Sequence, residues 1–343
     1  MDCSVMDRAV RLIAVAVLWT SLTAYADVTL KIATVSPDGT RWMKMMRAGA
    51  KDIELRTEGR VKFKFYPGGV MGGNSSVMRK IRIGQLQGGA FTGGGLAEAY
   101  PNIVIYGLPM LFGNFEEVDY VRARMDKVLE AGMEKAGFVS FGIVEGGFAM
   151  FMGSTPITST RNLRDEKSWV PEGDDIAYAA YKALGVSPVV LPLTDVLTGM
   201  QTGLISTVAA SPLAAVALQW HTRIKYATDV PMSYVMGIFA IDAKAFNQIA
   251  PGDQAVVRQV LLPLFDELNV LNRADDLAAR EALSKQGIEF LQPADGVIKE
   301  WRDISRRVIE QKGKEGAFDP NLATEVANLI AEFRRQQGID RGN

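Results

Sequence analysis

Side chains able to do chemistry are scarce in this sequence. Cys3 is the only cysteine and His221 the only histidine. That pair cannot build a Cys/His zinc centre, and it leaves no disulfide framework and no cysteine protease. A Ser-His-Asp triad would have to use His221, and no G-x-S-x-G elbow accompanies it. Carboxylates remain. Glu145, Glu172, Asp174, Asp175 and Asp195 could supply a glycosidase-type pair. Their spacing singles out no two of them, and Asp174 and Asp175 stand at a predicted helix start, where carboxylates cap and complement the dipole. The glycine run Gly88–Gly95 could cradle a phosphate, but it contains neither G-x-G-x-x-G nor G-x-x-x-x-G-K-[ST]. It reads better as a strand end and turn where backbone comes close to a neutral ligand, since glycine has no side chain in the way. Asn74-Ser75-Ser76 matches the N-glycosylation pattern and reads instead as a loop-to-helix junction with Asn74 or Ser75 as N-cap.

Those groups must be positioned by the elements around them. Val28–Ala33 alternates and is β-branched, the pattern of a strand. A helix is predicted over 40–57, with Trp42, Met45, Met46, Ala50 and Ile53 at helical spacing, then a strand over 61–66 and a helix over 77–83. The order resumes with a strand over 139–144, a helix over 174–184, a strand over 187–191, a helix over 193–202 and a short strand over 204–210. Alternating strands and helices imply α/β units with largely parallel sheets. Residues 251–286 form one long helical pattern interrupted only by Pro263, and 296–337 is helical and charged. Two such units without a flexible linker imply a chain that crosses between them more than once, which is a hinge with a cleft.

The 343 residues are 48% hydrophobic and 22% charged, globular proportions with room for two domains. With 38 Lys+Arg against 39 Asp+Glu, the chain lacks the basic excess of a nucleic-acid binder. Arg8 and Arg11, the apolar run from Leu12 to Leu22 and Ala24-Tyr25-Ala26 read as an export signal over residues 1–26, cleaved after Ala26. No later stretch reaches about 18 uninterrupted apolar residues.

At this point a family is recognisable. The sequence resembles the TRAP-transporter solute receptors, the DctP family of periplasmic substrate-binding proteins, over nearly all of the chain after the signal. The likeness rests on Leu30-Lys-Ile-Ala33, Gly59-Arg-Val61, Tyr66-Pro67-Gly68, Met71-Gly72, Leu108-Pro109-Met-Leu-Phe112, Trp169-Val-Pro171, Leu184-Gly185, Met200-Gln201-Thr202-Gly203 and Ser211-Pro212-Leu-Ala-Ala-Val216, in that order. It implies an α/β, two-lobed binding-protein fold, each lobe a mixed sheet flanked by helices, with a long helix bridging both. The lobes are expected over 27–147 with 238–277, and over 148–237 with 278–343. It implies a periplasmic receptor that closes on one small molecule and delivers it to small and large membrane permease subunits. No enzymatic activity, cofactor or metal is expected, and the receptor is expected to be a monomer.

The likeness also implies how the solute is held, and here the sequence departs. Family members mostly bind organic acids through an arginine in K-x-R-x-P; this chain has Trp169, in Lys167-Ser-Trp-Val-Pro171. An asparagine before a later proline is Ser211, before Pro212, and a second arginine of some acid-binding members falls near Ala149; the first-lobe asparagine is kept as Asn74. An indole in place of a guanidinium removes two charge-assisted bonds of about 1.5–3 kcal/mol each. The solute is therefore expected to be neutral, apolar or aromatic and to stack on Trp169, with hydrogen bonds from Ser211 and Asn74. Glu145 is expected to accept one from a hydroxyl or amine, Trp220 to line the cleft and Gly93 to admit close backbone approach. The alternatives are an organic acid met by another cation such as Arg41, a ligand-sensing protein, and a secreted hydrolase working through carboxylates.

Overall fold

The computed structural model describes residues 27–338. The export signal and its cleavage after Ala26 lie outside the described residues. In chain order the elements are Val28–Thr34 (β1), Arg41–Arg56 (α1), Val61–Tyr66 (β2), Asn74–Arg82 (α2), Gly88–Thr92 (β3), Phe115–Lys135 (α3), Phe138–Gly153 (β4), Thr160–Arg164 (α4), Trp169–Pro171 (β5) and Asp175–Ala183 (α5). There follow Val189–Leu191 (β6), Val196–Thr202 (α6), Thr207–Ala210 (β7), Pro212–Ala217 (α7), Tyr226–Thr228 (β8), Ser233–Asp242 (β9), Ala243–Phe246 (α8), Pro251–Lys285 (α9), Glu289–Leu291 (β10), Asp295–Lys314 (α10) and Pro320–Gln336 (α11).

The sequence dictates the first of these locally. Thr40 stops the loop after β1 by accepting the Met43 N–H, and α1 then buries Met43, Met46 and Ile53. Met46 and Ile53 meet Leu30 and Ile32 of β1 and Val257, Leu261 and Phe265 of α9 in one apolar core. In a second core, Met150 and Met152 of β4 and Val208 of β7 pack with Ala215 of α7 and Leu283 of α9. At about 1.5 Å per residue, the 35 residues of α9 give it the reach to serve both cores.

Sheet pairing shows where the chain passes between lobes. The main sheet runs β10-β8-β4-β9-β3-β1-β2, with β7 also on β4. Residues 138–145 of β4 pair with 236–242 of β9, which in turn pairs with β3; residues 150–153 of β4 pair with β7 instead. The register shifts between Glu145 and Phe148, and Gly147 there has φ +84, a value that suits glycine. The bulge bends β4 at this point. Of the C-terminal helices, α10 lies on α5 of the second lobe, whereas α11 packs on α3.

The bulge is clamped from α9 and α3. Glu145 is only 3% exposed. Its carboxylate accepts from Arg273 Nη2 and Nε at 2.5 and 3.0 Å and from Arg122 Nη1 at 3.3 Å. Its backbone is also held: the N–H donates to Asn269 Oδ1 at 2.8 Å and the carbonyl accepts from Asn272 Nδ2 at 2.8 Å. Arg273 reaches outward as well, to Asp119 at 2.7 and 2.8 Å. Removing one member of a buried charge group leaves the rest uncompensated, at a cost of about 3–5 kcal/mol. Glu145→Ala should therefore lower the unfolding free energy by that amount in urea denaturation. Asp119→Ala, at the exposed end of the same chain of bonds, should cost under about 1 kcal/mol. Equal losses from the two substitutions would show that burial at the bulge does not set the strength of the clamp.

Candidate functional site

Strand direction creates the site. β1, β2 and β3 run parallel, so Thr34, Tyr66 and Thr92 end at one edge. β5 and β6 run parallel, and a parallel bridge from Ser168 to Thr207 aligns β7 with them. Pro171, Leu191 and Ala210 thus end at a second edge. Ligands of open α/β sheets bind outside the carboxyl ends of parallel strands, and here two such edges confront each other. A Cβ added at Gly69, after β2, would lie 2.3 Å from Thr194 Cγ2, after β6. One added at Gly73 would lie 3.6 Å from Pro192 Cβ and 3.7 Å from Glu172 Oε2. The two lobes meet across this crevice, and bare glycine backbone lets them come that close.

Asn74 stands in the crevice wall of the first lobe. It opens α2 rather than capping it: the N-cap is Gly73, which has no side chain to bond, so the capping role expected of Asn74 or Ser75 is not the one found. The Asn74 carboxamide instead turns to β3, where Nδ2 donates to Thr92 Oγ1 at 2.7 Å. It also lies over the glycine turn, since a Cβ at Gly95 would fall 2.6 Å from Asn74 Cγ. At Gly93 an added Cβ would touch Met236 at 3.3 Å, and at Gly94 it would meet nothing within 4 Å. Ser211 follows the last residue of β7 and is fully buried. It caps α7, its Oγ accepting the Ala214 N–H at 3.3 Å, and its own O–H proton stays available to donate.

The other expected site residues are placed elsewhere. Trp169 is 3% exposed. Its ring packs with Met150, Met200 and Val208, edge-on to Trp220 at 5.4 Å and 76°, and its Nε1–H donates to Leu191 O at 2.9 Å. Both indoles are core, and the donor of Trp169 is spent on the neighbouring strand. Strand alternation explains this: Trp169 and Val170 point to opposite faces and enter separate cores. Glu145 does not present an acceptor to the crevice, because two arginines occupy its oxygens beside the bulge of β4. Arg41 holds Asp275 of α9 through two bonds of 2.6 and 2.9 Å, which hold its guanidinium on that helix. The lone histidine puts Nδ1 at 3.2 Å from Ala215 O. Thr92, Glu172, Pro192 and Thr194 were not singled out as cleft residues from the sequence; the readable signal is a polar, Gly or Pro residue just after each strand.

The charge at the crevice is one-sided. The segments that leave the strand ends, 34–40, 66–74, 92–95, 171–174, 191–195 and 210–213, contain no Lys or Arg. They do contain Asp38, Glu172, Asp174 and Asp195. Asp38 takes Arg47 as partner and Asp174 caps α5 by accepting the Ala177 N–H.

Comparison with known proteins agrees with this geometry. The family model for bacterial extracellular solute-binding proteins, family 7 (DctP), matches residues 32–315. A Salmonella typhimurium protein, YiiZ, is 24% identical over 217 residues, 62% of this chain and 65% of that relative. A TRAP periplasmic solute-binding protein from Xanthobacter autotrophicus Py2 with bound β-D-galacturonate shares the fold at TM-score 0.80 and 20% identity, covering 88% of this chain and 99% of that one. One from Ralstonia eutropha H16 with bound (S)-2-acetolactate does so at TM-score 0.81 and 21% identity, covering 89% and 99%. Among the described residues no helix is long and apolar enough to cross a membrane. With its family model spanning most of the chain and its two lobes meeting at paired strand ends, the chain belongs to the bacterial extracellular solute-binding proteins of family 7 and is a solute receptor, not an enzyme.

Proposed function

We propose that this receptor serves a TRAP transporter in the periplasm, capturing a solute that carries no carboxylate and passing it, as a monomer, to the membrane permease subunits. The lobes are 27–147 with 238–277 and 148–237 with 278–343, pivoting near Gly147. The observation that carries the ligand class is the absence of Lys and Arg from the six strand-end segments at the crevice. An ionised solute enclosed there would lose its hydration with no counter-ion in those segments, and an unpaired buried charge is strongly unfavourable. A neutral, apolar or aromatic solute avoids that cost and finds hydrogen bonds at Asn74, Thr92 and Ser211. Trp169 contributes by filling the place of the family's arginine with an indole whose one donor is already bonded. The galacturonate and acetolactate held by the compared structures favour a second reading, an organic acid, and the same experiment separates the two.

Mass spectrometry of small molecules released on denaturation identifies what the protein carries, and thermal unfolding with a solute panel tests its class. A solute at about a hundred times its Kd stabilises the fold by about 2.7 kcal/mol, enough to move Tm by several degrees. Neutral and aromatic solutes are expected to give that shift, and D-galacturonate, D-glucuronate and C4-dicarboxylates none. A large shift with any of the acids overturns the proposed class. The placement of Trp169 has its own test. Trp169→Ala should cost about 3–5 kcal/mol of stability, as large aromatic truncations in a core do. A variant that keeps its Tm would put the indole outside the core.

A further inference from the structure

Asp276 is a carboxylate that the solute site does not use, and it sits at the pivot. It lies on α9, 7% exposed. Its Oδ1 accepts the Leu213 N–H of α7 at 2.9 Å. A Cβ at Gly147 would fall 2.7 Å from its Cγ, so the bulge of β4 rests directly on the carboxyl group. Three elements therefore enclose it: the brace α9, the crossing strand β4, and α7, whose cap is Ser211.

The charged groups around Asp276 leave it without a dedicated partner among the bonds of this region. On β4, Glu145 adds a like charge, and its own oxygens are bonded to Arg273 and Arg122. On α9, Arg280 gives its paired bonds of 2.7 Å to Asp229, and Asp275 accepts those of Arg41. α7 carries no charged side chain, and His221 beyond it bonds to Ala215 O. Burial pushes the Asp276 carboxyl up to about 6, helped by Glu145 and opposed by the Leu213 N–H and Arg280. A carboxyl raised in this way gives the fold stability that is present below its ordinary value near 4 and lost as pH rises through about 6.

We propose that closing of the two lobes is coupled to proton uptake at Asp276. This rests on the reading that the crevice opens and closes about the Gly147 pivot. In the structure the lobes touch and Asp276 is enclosed. Rotation at Gly146 and Gly147 lifts β4 from the carboxyl group and admits water, which favours its ionised form. The closed state therefore binds the proton more tightly, and mild acid shifts the population toward closure. With the closed form titrating near 6 and the open form near the ordinary 3.9, the closed-to-open ratio should rise up to about tenfold between pH 7 and pH 5.

Distances between spin labels test this on the full chain without any solute. Cys3→Ser supplies the background, and cysteines introduced at the exposed Ile83 and Leu204 place one label on each lobe. The short-distance population is expected to grow up to about tenfold relative to the long one from pH 7 to pH 5. In Asp276→Asn the ratio should be constant over that range and resemble the acid form of the parent. Asp276→Ser, which also cannot ionise, takes its place should the asparagine variant not fold. Two populations whose ratio ignores pH, or a pH response that survives both substitutions, would overturn the coupling and leave the crevice intact. A single distance at every pH in all proteins would overturn the opening crevice itself, and the coupling with it.

Discussion

The clamp on Glu145 is the constraint from which the rest of the molecule follows. A two-lobed receptor must let its halves move while keeping them aligned, and this chain meets both needs at one strand. β4 pairs with β9 over residues 138–149 and with β7 over 150–153, and its bulge at Gly146 and Gly147 interrupts the ladder. One residue earlier, Glu145 is held through both its side chain and its backbone by Asn269, Asn272, Arg273 and Arg122. Rigidity and freedom thus lie side by side in sequence. The clamp keeps α9 in register with the first half of β4. Buried ion pairs are often no better for stability than apolar packing. Their directional bonds do fix a register, and a register is what a pivot requires.

The same frame explains why a solute site appears at the crevice. Parallel strands place their carboxyl ends, with the polar and glycine-rich turns that follow them, along one edge of a sheet. Two such edges, brought face to face, supply a site without any residue being specialised for catalysis. What the crevice recognises is then decided by a few turn residues. Here those residues are small or polar, and their charges are acidic. Trp169 is bonded within its own lobe. Its ring lies in the second-lobe core and its N–H closes a bond to Leu191 O.

Much of the fold was legible in the sequence because its signals are periodic. β1, α1 and β2 announce themselves by spacing, and α9 by its unbroken helical pattern across Pro263. The long strand β4 was read only as far as Val144, since Gly146-Gly147 looks like a terminator; the structure runs through it to Gly153 as a bulge. β9 and α3 were not assigned, because β9 takes its meaning from pairing with distant strands and α3 from packing on β4 and α11. Of the residues expected at the site, Gly93 and Ser211 directly follow β3 and β7, and Asn74 opens α2. The facing direction of Trp169, the arginines on Glu145 and the bond between Arg41 and Asp275 depend on contacts more than 100 residues apart for all but Trp169 and Arg122, and spacing along the chain carries no trace of them.

The ligand argument comes down to what a closed crevice does to charge. In the open state water screens Asp38, Glu172 and Asp195 from anything nearby. Closure expels that water and strengthens every remaining electrostatic term. A solute carboxylate would then meet Glu172 across a thinner, drier gap, and repulsion would oppose the closure that defines capture. On the proposed reading a neutral solute avoids that penalty, with Asn74, Thr92 and Ser211 as its hydrogen-bonding partners. Closure is then the selectivity step of that proposal: only solutes that leave the acidic rim uncontested would let the lobes meet.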